Sequence, residues 1–444
     1  MIAMATMLFA LTGMSASAAE VAFEKDSSLP MVYLNVAIKA GAANDPQGQS
    51  GMTNFMGEML LRGTQLRTKE QIDLELDQMG AQLEVETRPE SMIIRGAVLA
   101  TQLDPFLRLL KEIVTLPKFP EIEIRKLKAQ IVSAIADEVS HDQTLANRHF
   151  MRFLFHDHPY GKSVMGLTHD IQKLTPQQIR AHYDRFVRDK LILVAGTGDA
   201  SESDIASWAK QVAAGRPGGE DAVLVPMPEN SPRRRLLIVD KPDRTQTQIF
   251  EGQIGMRMTD ERFYPTYIAS HAFGGGSFNS RLMVEVRVKR GWSYGASSQF
   301  RHGRRPRIWN TYLFPASKDA AAALALTLQM VRDLQEKGIT AAEFEFAQRS
   351  LVNSAGFNFN TARKRVENKL MERTLDLPDG FVRDTANKLT QVTLEDTNRA
   401  AHTFFKPDHL VITVVGTAKD LKPALIKAAA VAPTDVQVVP YTQE

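Results

Sequence analysis

Two side chains in the second half of the sequence carry groups suited to holding a polar substrate. Arg281 offers a rigid fork of N–H donors to a carbonyl or carboxylate, and Tyr294 adds a phenolic O–H of the kind that steadies developing negative charge. Neither activates water unaided, since neither is a proton acceptor at neutral pH. Gly274, Gly275 and Gly276 stand just before them, placed to end a helix and to let backbone approach a bound peptide closely. In the first half, Asn54 and Glu58 lie one helical turn apart on a methionine-rich apolar stretch. They supply at most two hard oxygen ligands, and Gly57 between them has no proton acceptor. The 10 histidines form no convincing metal set: His156 and His158 have the spacing of a strand face, without a carboxylate-supported third ligand. With 0 cysteines, thiol nucleophiles, disulfides and thiolate metal sites are excluded. From residue types and spacing, no metal set stands out.

Composition narrows the function classes. The chain has 444 residues and a formal net charge of +3, spread along its length, which argues against nucleic-acid binding. Hydrophobic residues at 43% and charged residues at 24% are those of a globular protein with a substantial core, and the length predicts more than one domain. Met1 to Ala18 is uncharged and ends in Ala16-Ser17-Ala18, a small-x-small pattern after an apolar stretch, so it reads as a secretory leader and predicts a periplasmic protein. That stretch is too short to span a bilayer, which takes about 20 apolar residues, and no later segment qualifies.

The elements that must position these residues follow from periodicity. Val32 to Ala40 reads as a strand, and Ser50 to Leu61 carries Met52, Phe55, Met56, Met59 and Leu60 at helical spacing. Leu83 to Thr87 and Ser91 to Val98 read as paired strands, followed by helices at Asp104 to Thr115, Pro120 to Val139 and Thr144 to Leu154. Strand Leu191 to Ala195 and helix Glu202 to Val212 close the unit. The glycine- and proline-rich stretch 214–232 is linker chemistry and divides a first domain, 19–213, from a second, 233–444. Beyond it the pattern restarts. Leu174, His182, Ile192, Val194, Gly196 and Thr197 fall at one fixed offset from Leu394, His402, Ile412, Val414, Gly416 and Thr417. Strand Thr247 to Ile254 and helix Asp260 to Phe273 repeat the opening strand and helix. The prediction is α+β: two homologous domains, each a mostly antiparallel sheet with helices on one side.

The segment Gly51-Met52-Thr53-Asn54-Phe55-Met56-Gly57-Glu58-Met59-Leu60-Leu61-Arg62-Gly63-Thr64 resembles the pitrilysin/insulinase family, which includes the mitochondrial processing peptidase. That family carries here an inverted zinc-peptidase helix, His-x-x-Glu-His, in which two imidazoles face one metal and the carboxylate acts as general base on zinc-bound water. This chain reads Asn54, Gly57 and Glu58 at those three positions. The family's third ligand, a glutamate on a later helix, falls near Ala134, with Asp137 and Glu138 the nearest carboxylates. His158-Pro159-Tyr160-Gly161, Gly166, Ile171, Leu174-Thr175 and Tyr183 are similar to the family's segment leading into the last strand of its first domain. Ser280-Arg281-Leu282 through Glu285, Arg287 and Gly291 to Tyr294 is the strongest match, and the resemblance implies that Arg281 and Tyr294 reach across to the zinc of another subunit and hold the substrate carbonyl.

The resemblance thus implies a non-catalytic, substrate-binding subunit of a heterodimeric zinc peptidase. Zinc would sit in a homologous catalytic partner, the two subunits forming a clam-like cavity between them, and hydrolysis of peptides would need both. The alternative is a catalytically dead scaffold or assembly protein of the same fold. Arg301, His302, Arg304, Arg305 and Arg307 read as a solvated turn between strands able to attract an acidic surface, and Arg233, Arg234 and Arg235 as a charged sheet edge.

Overall fold

The computed structural model describes residues 20–220 and 224–444. The expected leader lies outside them, as does the middle of the expected linker. The first half runs β1 (Glu20–Lys25), β2 (Met31–Ile38), α1 (Met52–Leu60), α2 (Lys69–Met79), β3 (Gln82–Thr87), β4 (Met92–Leu99), α3 (Leu103–Thr115), α4 (Glu121–Glu138), α5 (Asp142–Phe155), α6 (Thr168–Lys173), α7 (Pro176–Phe186), β5 (Ile192–Gly198) and α8 (Glu202–Gly215). The second runs β6 (Arg235–Asp240), β7 (Gln248–Ile254), α9 (Phe263–Ser270), β8 (Ala296–Arg301), β9 (Ile308–Leu313), α10 (Ala320–Lys337), α11 (Ala341–Ala355), α12 (Ala362–Thr374), α13 (Thr385–Thr390), α14 (Leu394–Phe404), β10 (Val411–Gly416), α15 (Ala418–Ala429) and β11 (Val436–Pro440). Among the described residues, no helix is long and apolar enough to cross a membrane.

The duplication is plain in the sheets. The first has the order β1-β5-β2-β4-β3 and the second β6-β10-β7-β9-β8, with β11 added outside β6. In each, the first strand pairs parallel with the last strand of its unit and the other pairings are antiparallel, apart from β11, which is parallel to β6. The internal register, however, is shifted by two residues from the sequence reading. The amide of Asp26 donates to Gly198 O as that of Lys241 donates to Gly416 O, so Gly198, not Gly196, corresponds to Gly416. Capping-box threonines agree: Thr175 opens α7 and Thr393 opens α14. A shift of two preserves the strand face, which is why the apolar identities survived it.

Helices do not cover one side alone, as the sequence suggested. Each domain lays its own helices on one face of its sheet and lends one helix to the other domain. Leu145, Phe150 and Leu154 of α5 pack among Leu237, Val239, Phe250, Val411 and Val415 of the second sheet. Gly252 makes room there, since a Cβ on it would lie 2.8 Å from Phe150 Cζ. In return, Val366 and Leu370 of α12 pack on Ala37, Ile93, Leu193 and Ala195 of the first sheet, where small alanines let the helix approach. Arg365 of α12 grips Glu24 of β1 through Nε at 2.9 Å and Nη2 at 2.5 Å.

Candidate functional site

Helix α1 is started by a remote carboxylate. Gly51 adopts φ 89° at its N-cap, where Asp45 accepts hydrogen bonds from Gly51 N (2.7 Å) and Thr53 N (2.8 Å). Burial pushes the Asp45 carboxyl up to about 6 against those bonds. Thr53 Oγ1 lies 2.6 Å from Asp45 Oδ1 and 2.9 Å from His182 Nε2. Burial holds His182 down to about 4 and hence neutral; with the hydroxyl donating to Asp45, the imidazole proton is assigned to Nε2. The network is buried and serves the helix start, not chemistry.

Along α1, Met52, Phe55, Met56, Met59 and Leu60 enter the first domain's core, as the spacing predicted. Asn54 and Glu58 are half-buried on the remaining face. Burial raises the Glu58 carboxyl, opposed by Arg62 one turn on. Arg62 itself bridges to α4, with Nη1 3.4 Å from Glu123 and Nη2 donating to Gln130 at 2.7 Å. Gly57 faces the sheet. A Cβ there would meet Met92 Sδ at 2.6 Å and Val85 Cγ1 at 2.9 Å, so the space where a longer side chain would begin is already filled. Ala134 and Asp137 are exposed on α4, and Glu138 is turned to Arg148 of α5 at 3.4 Å. These residues do not fit a zinc ion: no imidazole points from α1, and among the described residues no cluster of three or more His, Cys, Asp or Glu is placed to hold a metal.

The second-half residues are arranged differently from the sequence reading. After α9 the chain passes through a wide π-helical turn at His271–Gly275 and another at Met283–Val288. Gly274, Gly275 and Gly276 do not form a left-handed cap. Gly274 is buried because β8 passes against it, a Cβ there meeting Ser298 N at 2.5 Å, while Gly275 is exposed. Arg281 spends its fork within its own domain, with Nε donating to Glu343 Oε1 (2.9 Å) and Nη2 to Glu343 Oε2 (2.7 Å) and to Gly338 O (3.2 Å). The guanidinium beside Tyr294 is that of Arg287. Backbone bonds from Lys289 N to Val284 O (2.9 Å), Gly291 N to Arg287 O (2.9 Å) and Trp292 N to Val286 O (3.0 Å) fold the chain back, with Gly291 at φ 66°, and bring Tyr294 over Arg287.

Arg287 thereby lies between two rings, 4.1 Å from the centroid of Tyr294 and 4.8 Å from that of Phe278. Glu285 is taken by Lys289 and Arg290, each at 2.6 Å, and Arg287 has no carboxylate partner among the described residues. Tyr294 is 75% exposed and Phe278 58% exposed. The result is an outward-facing phenol with a cation clamped to it. Sequence reasoning quoted Arg287 within the matched stretch but assigned the cation that works with Tyr294 to Arg281, which the structure places elsewhere.

The His158 to Gly161 stretch belongs to the domain boundary. His158 Nε2 donates to Pro226 O (3.0 Å), and Tyr160, almost fully buried, accepts from Arg305 N (3.2 Å). The basic run is not a solvated turn: Arg304 N donates to Glu90 (2.8 Å), Arg304 pairs with Asp376 (2.6 Å), and Arg305 Nε donates to Val225 O (3.2 Å). Burial drives His302 down to about 4. The reason is topological, since the β8–β9 hairpin ends against the first domain. Nor do Arg233, Arg234 and Arg235 merely solvate an edge; the half-buried Arg234 donates to Pro407 O (2.6 Å) and Ala429 O (2.8 Å).

Comparison with known proteins agrees with this geometry. The Insulinase (Peptidase family M16) model matches residues 20–168, and the Peptidase M16 inactive domain model matches residues 173–351. A protein described as "Non-peptidase homolog YmxG" from Helicobacter pylori is 23% identical over 400 residues, spanning 90% of this chain and 92% of that one. An "Uncharacterized zinc protease" from Rickettsia felis is 26% identical over 267 residues, 60% of this chain and 64% of that one. The crystal structure of a peptidase M16 inactive domain from Pseudomonas fluorescens superposes with a TM-score of 0.84 at 24% identity, covering 90% of this chain and 96% of that one, a likeness of fold. With both of its duplicated halves matched by models of one family, the chain belongs to the M16 (insulinase) peptidase family, as a non-catalytic version of its fold whose zinc-helix positions carry Asn54, Gly57 and Glu58.

Proposed function

We propose that this chain is the substrate-binding, non-catalytic subunit of a two-chain zinc peptidase, exported to the periplasm, whose homologous partner carries the zinc helix. The observation that carries the reading is the exposed Tyr294 stacked on Arg287, set against an α1 with no imidazole and a filled position 57. Tyr294 O–H is free to donate to a substrate carbonyl oxygen, and the adjacent guanidinium supplies fixed positive charge where that oxygen becomes anionic. Among the described residues no carboxylate pairs with Arg287, and Glu285 is held by Lys289 and Arg290, so in this reading water activation is left to the partner. Arg281, named for the clamp from sequence, acts in this reading through its ion pair with Glu343, which steadies the segment leading to Arg287.

The test is reconstitution with an equimolar homologous subunit that has an intact His-x-x-Glu-His helix. Peptide hydrolysis should appear only on mixing and vanish with chelator. Tyr294→Phe and Arg287→Gln should each lower turnover of the mixture by about 10²-fold. A complex that forms but stays inactive would favour the scaffold reading, and undiminished turnover in both variants would remove Tyr294 and Arg287 from the site.

A further inference from the structure

Where the β8–β9 hairpin meets the first domain, the two halves line a half-open cavity of about 780 Å³ between α5, the segment after it, and the hairpin. Arg301 and Arg307 from the hairpin and Arg148 and His149 from α5 are among its lining. Unlike Arg304, neither Arg301 nor Arg307 has a carboxylate at ion-pair distance among the described residues. Four buried side-chain atoms at this place have no hydrogen-bond partner: Arg307 Nε, Arg148 Nε, His149 Nε2 and Asn147 Oδ1. Burial pushes both hairpin guanidiniums below their ordinary value, and for Arg307 the charge of Arg301 adds to the effect. Among the acids near the cavity, Asp157 is exposed to solvent, and Glu90, which accepts from Arg304 N, lies close enough for its charge to favour the Arg307 guanidinium. Asp170 accepts from Ser50 N (2.9 Å), and Glu138 lies 3.4 Å from Arg148. At another part of the same wall a carboxylate is already seated: the Glu444 side chain accepts from Thr168 N at 2.6 Å, while Arg152 donates to the Glu444 carbonyl.

Two half-buried guanidiniums without an ion-pair partner, one of them with a buried Nε that meets no acceptor, are stabilised when a counter-charge joins them, and their planar forks match the geometry of phosphate and carboxylate. We propose that this cavity is a binding site for a small oxyanion, a phosphate or carboxylate group held between Arg301 and Arg307, with Arg148 and His149 beside it. The site is separate from the Tyr294 clamp and does not depend on that reading.

The test is thermal unfolding of the full chain with rising inorganic phosphate or, in a second arm, citrate, at ionic strength fixed with chloride. The midpoint should climb with the logarithm of ligand concentration. Arg301→Gln should weaken the response at least about tenfold, whereas Arg399→Gln on the exposed face of α14 should leave it intact. A response to phosphate assigns the phosphate class, and a response to citrate alone the carboxylate class. A flat midpoint in both arms, or a response unchanged in Arg301→Gln, overturns the proposal. Arg307→Gln gives a second check, and if that variant does not fold, calorimetric titration of Arg301→Gln with phosphate decides.

Discussion

Glu251 lies on β7, fully buried beneath α10, where the Thr327 hydroxyl donates to its Oε1 and its Oε2 has no partner. Burial pushes its carboxyl from 4.5 up to about 7, against the hydrogen bond from Thr327, the nearby Thr311 hydroxyl and the charge of Arg234. Folding therefore favours the protonated acid. The stability this gives is fully present below the unfolded value of 4.5 and is lost as pH rises through the folded value of about 7. From the two values, the loss between pH 5 and pH 8 is about 2.5 kcal/mol. Glu251→Gln keeps the shape and removes the titration. Urea unfolding of wild type and variant at steps across that range should show the variant gaining on wild type by about 2–3 kcal/mol from the acid to the alkaline end. His149, His182 and His302, each held by burial down to about 4, act in the opposite direction. Their stability is present above 6.5 and lost as pH falls toward 4, but they are common to both proteins and cancel in the difference. A difference that stays flat with pH, or slopes the other way, would refute the account of Glu251.

Other outcomes follow from packing. Gly166 has φ 92° and a Cβ on it would lie 2.3 Å from Ser50 O, so Gly166→Ala should cost about 2–4 kcal/mol by chemical unfolding. Gly80→Ala, with φ 60° but open space around it, should cost about 1 kcal/mol, and equal losses at the two sites would contradict the steric argument. Leu370→Ala, removing a side chain 3% exposed between α12 and the first sheet, should cost about 2–5 kcal/mol and speed amide exchange in β5. Added zinc or chelator should leave the unfolding midpoint of the isolated chain where it was; a chelator-sensitive midpoint would mean a metal site that the α1 geometry does not provide.

Much of the scaffold was legible because its elements are strongly periodic. The Met52-Phe55-Met56-Met59 stripe located α1. The exchange of α5 and α12 was not read, although β5 and β10 are buried at every position, the mark of strands covered on both faces. Which helix covers them is a long-range fact that no local pattern encodes. The basic run at 301–307 was misjudged for the same reason, since a Gly/Pro-marked turn looks alike whether it ends in water or against another domain. At the clamp, residue type pointed to Arg281, but which cation faces Tyr294 is set by the reversal through Gly291, and side-chain direction across a π-helical turn does not follow ordinary helical spacing.

The reciprocal loan of α5 and α12 means that the covalent thread between the halves is not what keeps them together. A protease cutting in the stretch between α8 and β6 would sever the chain without freeing either piece, because each fragment would still hold a helix seated in the other's apolar layer. Such a nicked protein should migrate as one particle in native conditions and as two only after denaturation, and the two pieces, made separately, should each be short of a surface that only the other can cover.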